Sequence, residues 1–201
     1  MLKKAAIGSG FPVGIAEDLS AGGVWLCARG LDGVGAVVGA IATEFGPHLE
    51  WKPGSTTVRS TDASVASCGS SPFELLVARD IEQVVVKRPD APLILVGLAG
   101  VVAQANDTRF ALEVDGGAPI IVTPESVMWE GDLSSDGIRT INITEVERVD
   151  GESVGSPVTP QAVEVDERQW AAATELAART YVAASEESRV RGAGAGLSDN
   201  D

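Results

Sequence analysis

Apolar residues recur at helical spacing through residues 1–43 and begin to alternate with polar ones after Val84. Leu19, Trp25, Leu26 and Cys27 follow Glu17-Asp18 at roughly helical intervals, although Gly22-Gly23 weakens the pattern. Gly30 after Arg29 is a helix stop. In 33–42, Val34, Val37, Val38 and Ile41 are spaced for one buried face, and the short connection predicts an antiparallel helix pair. Residues 44–71 have little periodicity and hold Gly46-Pro47, Pro53-Gly54 and a Ser/Thr-rich tract. They form a functional loop, or they contain a strand that the pattern does not reveal. Ser71-Pro72-Phe73-Glu74 combines an N-cap serine, proline at the first helical position and glutamate three residues after the cap. This predicts a helix to about Glu82.

The second half reads mainly as β-structure. Val84-Val85-Val86 is β-branched, whereas 92–105 suits a strand or a helix, because Gly97 and Gly100 interrupt it. Phe110, Leu112 and Val114 share one face, Asp115-Gly116-Gly117 supplies a hairpin turn, and Pro119-Ile120-Ile121-Val122 returns. Val127-Met128-Trp129 and 138–146 continue the series, for four to six mostly antiparallel strands half-buried against helices. Asp166-Glu167-Arg168-Gln169 caps a last helix within 160–183, with Trp170, Ala173, Ala177 and Tyr181 along one side. The expected fold is α+β in a single domain over 1–201. It has N-terminal helices, the sheet, a C-terminal helix and a Gly-rich tail at 184–201.

Composition narrows the function classes. The chain has 201 residues and a net charge of −14, which repels nucleic-acid phosphates and argues against a nucleic-acid partner. Twelve acidic and five basic residues fall in 145–201, so half the net charge lies there and marks a solvated face. The most apolar run, 92–105, is shorter than the roughly 20 residues that span a bilayer. Met1-Leu2-Lys3-Lys4 is basic, but Gly8, Gly10, Pro12 and Glu17-Asp18 interrupt the next stretch, against a secretory signal. Two cysteines make no disulfide framework, and Cys27 in its apolar helix reads as a buried thiol. The expected setting is cytoplasmic, without a membrane partner.

Two segments resemble a bacterial family known as a domain of unknown function. One is Gly8-Ser9-Gly10-Phe11-Pro12-Val13-Gly14-Ile15-Ala16-Glu17-Asp18, continuing to Trp25-Leu26-Cys27-Ala28-Arg29-Gly30. The other runs from Ala178 through Ser188-Arg189-Val190-Arg191-Gly192-Ala193-Gly194-Ala195-Gly196 to Asp199-Asn200-Asp201. A tryptophan is usual in the family where Val13 stands, and a proline where Ala183 stands. The resemblance transfers no activity and no functional residue. It implies that the tail belongs to the protein's design.

The search for catalytic motifs is largely negative. There is no H-E-x-x-H, C-x-x-C pair or P-loop, and no cofactor or metal is expected. Gly8, Gly10 and Gly14 are spaced one residue too wide for a dinucleotide fingerprint and follow no strand, and Gly33, Gly35 and Gly39 read as close helix packing. Cys68 is the candidate reactive thiol, preceding a capped helix and with His48, the one imidazole, as its potential base. The oxygens of 132–137 read as a polar turn rather than a calcium loop, and Asn142-Ile143-Thr144 as plain strand.

Arg189 and Arg191, with the backbone N–H groups of Gly192, Gly194 and Gly196, are the candidate ligand-binding residues, suited to a small anion. A binding or accessory protein without catalysis is the favoured reading, and homodimerisation through Trp25, Trp51 or Trp129 is compatible with it. The alternative is a small enzyme acting on an anionic molecule, using Glu186, Glu187, Asp199 and Asp201 as acids or bases.

Overall fold

A computed structural model describes residues 1–43, 55–61, 64–128, 137–138, 140–147 and 164–181. In chain order the elements are α1 (Leu2–Gly8), α2 (Val13–Cys27), α3 (Gly33–Ala40), β1 (Thr57–Thr61), α4 (Val65–Cys68), α5 (Ser71–Val77) and β2 (Gln83–Lys87). They continue with α6 (Pro92–Asn106), β3 (Phe110–Val114), β4 (Pro119–Val122), β5 (Val127–Met128), β6 (Thr140–Glu145) and α7 (Glu167–Ala178). The fold is α+β.

The six strands form one mixed sheet in the order β1-β2-β6-β3-β4-β5. Only β1 and β2 run parallel among these neighbours; the other pairs are antiparallel. Alternation along each strand puts Val84, Val86, Phe110, Leu112, Ile120, Val122, Ile141 and Ile143 on one buried face. The hairpin expected at Asp115-Gly116-Gly117 joins β3 to β4, with Asp115 and Gly116 both at positive φ.

Helix α6 covers this buried face and is itself covered by α2, α3, α4 and α5. Ten of its residues are buried, including Ile94, Leu95, Val96, Leu98 and Ala99 on every side. A helix apolar all round has no polar stripe to betray its period, which is why 92–105 suits either element by sequence. Phe73 of α5 meets Phe110 of β3 edge-to-face, ring centroids 5.2 Å apart. Such a pair adds about 0.5–1.5 kcal/mol beyond its burial.

The glycines that weaken α2 as a sequence pattern are its contact surface. A Cβ on Gly97 of α6 would lie 2.6 Å from the Gly22 carbonyl oxygen, and one on Gly33 of α3 would lie 2.0 Å from that of Gly23. Helix backbones approach this closely only when no side chain intervenes. Gly39, by contrast, has no neighbour within 4 Å of such a Cβ, so close packing does not explain it.

Several boundaries differ from expectation. Helix α1 falls within the helical stretch expected over 1–43, although its seven residues give too few turns to mark it as a separate element. The segment 44–71 contains β1 and α4, whose short polar run hides the strand. Helix α5 stops at Val77 rather than near Glu82, because Arg79 turns left-handed at φ 59°. Its serine cap also shifts by one position. Ser70 Oγ, not Ser71, approaches Glu74 Oε1 at 2.7 Å.

At α7, Asp166 accepts from the Arg168 and Gln169 amides as expected. Gln169 does not fold back on its own cap. Its Nε2 donates to Asp32 Oδ2 at 2.7 Å, and Asp32 Oδ1 accepts from Gly35 N as the cap of α3. On the same helix Ala173 and Ala177 are buried and Trp170 is exposed, while Tyr181 lies beyond the helix end and is exposed, so the buried stripe is narrower than the sequence suggests. Among the described residues no helix is long and apolar enough to cross a membrane.

Candidate functional site

Four chain segments converge at one end of the sheet. Strands β3 and β6 pair Phe110 with Glu145, and the Val146 amide donates to the Arg109 carbonyl at 3.0 Å. The ladder therefore carries Arg109 on one strand and Glu145 and Glu147 on the other into the same region. Asp107 ends α6 in the left-handed conformation, φ 50°, which turns the chain into β3. Thr108 hydrogen-bonds Glu145 through its hydroxyl.

The third segment is the turn after β4. Thr123 N donates to the Ser126 carbonyl at 2.9 Å, and Thr123 Oγ1 accepts from the Ser126 and Glu125 amides. These bonds present Pro124 and Glu125 as one wall. The fourth segment is Arg79, held just past α5 by its own left-handed turn. Together they enclose a cleft of about 370 Å³. Among the described residues its charged lining is four carboxylates, Asp107, Glu125, Glu145 and Glu147, and two guanidiniums, Arg79 and Arg109. Arg109 is buried, whereas Arg79, Asp107 and Glu147 are exposed.

Behind the wall lies Arg29, just beyond the end of α2. Its guanidinium stacks 3.5 Å from the Trp25 ring centroid. Nη1 donates to the Trp25 carbonyl at 3.0 Å and Nη2 to the Pro124 carbonyl at 2.7 Å. Burial lowers the Arg29 pKa, and the nearby Glu125 carboxylate partly offsets this. Arginine keeps its charge through such a shift.

Carboxylates and guanidiniums around a cleft of this size hold small polar ligands by charge-assisted hydrogen bonds. Among the described residues no thiol or imidazole lines the cleft. Among the described residues no group of three or more Asp, Glu, His or Cys could hold a metal ion.

Residues 1–69 match a family described as a protein of unknown function (DUF3726). The matched stretch runs from α1 to α4 and contains the whole N-terminal motif, Arg29 included. No curated protein and no solved structure matches the chain.

Arg189, Arg191, Gly192, Gly194 and Gly196 lie outside the described residues, as do Glu186, Glu187, Asp199, Asp201, His48, Trp51, Trp129 and most of 132–137. Trp25 belongs to the core. Cys68 ends α4 and is buried, its Sγ 3.7 Å from the Ser64 carbonyl. Cys27 is half-buried, so the accessibility of the two thiols is the reverse of that expected. Asn142 and Thr144 lie in β6, on the face opposite the buried Ile141 and Ile143.

The sequence carries little sign of this cleft. Arg29, Arg79, Arg109, Glu125 and Glu147 are scattered over more than a hundred residues and share no motif. The sole local signal was the polar Asp107-Thr108-Arg109 step between an apolar run and a strand.

Proposed function

We propose that the protein is a soluble, non-catalytic binding or accessory protein whose ligand is a small amine-bearing molecule seated in the end cleft. The observation that supports this reading is the cleft's lining, in which, among the described residues, four carboxylates outnumber two guanidiniums. That excess favours a cation, and Arg79 at the rim leaves room for a second, acidic group on the ligand. The anionic ligand suggested by the tail arginines is the competing outcome. Two free thiols are compatible with a reducing, cytoplasmic setting.

Thermal unfolding in the presence of putrescine, lysine or succinate tests the reading. A ligand that binds the native state alone raises Tm with concentration. Putrescine or lysine should raise it and succinate should not. Glu147→Gln, at an exposed position, should weaken putrescine binding by about two- to fivefold, the range of an exposed charge contact. A shift with succinate alone, or none with either amine, overturns the reading.

A further inference from the structure

We infer that Arg29 is a positioning residue for the cleft, a step that rests on the amine-binding reading above. Its guanidinium ties α2 to the turn that forms the Glu125 wall. Trp25, the surface on which Arg29 lies, is 4 % exposed, and a Cβ on Gly100 of α6 would fall 2.0 Å from its ring. The indole is therefore wedged between Arg29 and the central helix. From this fixed plane the guanidinium reaches the Pro124 carbonyl across 95 residues of sequence. The Glu125 carboxylate also acts electrostatically on it.

Three features are joined in one side chain. The stack fixes the plane, the Trp25 carbonyl fixes the rotation, and the Pro124 carbonyl accepts an N–H from the other terminal nitrogen. Lysine keeps the charge but cannot satisfy two carbonyls in a plane or stack flat on an indole. Arg29→Lys therefore separates geometry from charge. With the charge kept, a loss of affinity reports the position of the wall rather than a change in its potential.

The experiment uses the full chain and two readouts. The first needs no ligand: amide hydrogen exchange of Thr123, Glu125 and Ser126 should quicken by about two- to tenfold in Arg29→Lys, the worth of one hydrogen bond. Exchange in α6 and β6 should stay unchanged, which a general loss of stability would not allow. The second is titration with putrescine, whose Kd should rise by a similar factor. In a Glu125→Gln background the same substitution should cost less, because the two residues act through one wall.

Local quickening with a weaker Kd and a non-additive cycle supports the inference. Unchanged exchange at the turn, or quickening throughout the protein, overturns it. Wild-type protein that ignores putrescine sinks the amine-binding reading and this inference with it. Wild-type binding that Arg29→Lys leaves intact sinks the inference alone.

Discussion

The Asp18 carboxylate holds the backbone and the hydroxyl of Ser70 with one oxygen: Oδ2 lies 3.0 Å from Ser70 N and 2.9 Å from Ser70 Oγ. The hydroxyl also lies 2.7 Å from Glu74 Oε1. It has one proton for two carboxylates, so the backbone N–H is the bond that ties α2 to the start of α5. Room for the carboxylate comes from Gly69, at φ 55°, where a Cβ would stand 2.7 Å from Asp18 Oδ2. Asp18→Ala should lower stability by about 1–2 kcal/mol, the cost of a lost helix cap, measured by urea unfolding. An unchanged midpoint would show that water replaces the carboxylate without loss.

The two glycine environments give a paired test. Gly97→Ala places a methyl 2.6 Å from the Gly22 carbonyl oxygen and should cost about 1–3 kcal/mol through overpacking. Gly39→Ala in α3 meets nothing within 4 Å and should stabilise by up to about 1 kcal/mol, through helix propensity alone. Equal effects in thermal unfolding would contradict the close crossing of α2 and α6.

Thiol titration distinguishes the cysteines. Half-buried Cys27 should react with a mild disulfide reagent first, and Cys68 should react after unfolding, since its sulfur is buried against Ser64. Prompt reaction at Cys68 would show that α4 opens readily, and would restore it as a candidate nucleophile.

Asp107 joins fold and cleft in one residue. As a non-glycine residue at φ 50° it carries strain that Asp107→Gly would relieve, for a gain of up to about 1 kcal/mol. The same change removes a carboxylate from the lining, so putrescine should bind about two- to fivefold more weakly. Stability and binding are expected to move in opposite directions. A variant that gains stability and keeps full affinity would take Asp107 out of the site.

The strands were legible where one face is buried and the other is not, because that asymmetry is written as alternation. Phe110, Leu112 and Val114, separated by Ala111 and Glu113, show it, and β3 stands where the pattern puts it. The cap at Asp166 was legible because its bonds reach only two and three residues along the chain. Helix α6 was not, since burial on all sides erases the period that distinguishes a helix from a strand. Strand β1 was not, since Thr57-Val58-Arg59-Ser60-Thr61 has one apolar residue and owes its place to pairing with β2.

Local order thus followed from composition and spacing: an acidic α+β chain with helices first, a mostly antiparallel sheet and a capped helix after it. The chain's spatial decisions did not. Gln169 leaves its own cap for Asp32, Asp18 crosses to Ser70, and Arg29 reaches Pro124. Each partner is distant in sequence, and each bond exists only once the elements that carry its two ends have packed together. Spacing encodes what one element does with itself, whereas a cleft built from the ends of four segments exists only once they have packed.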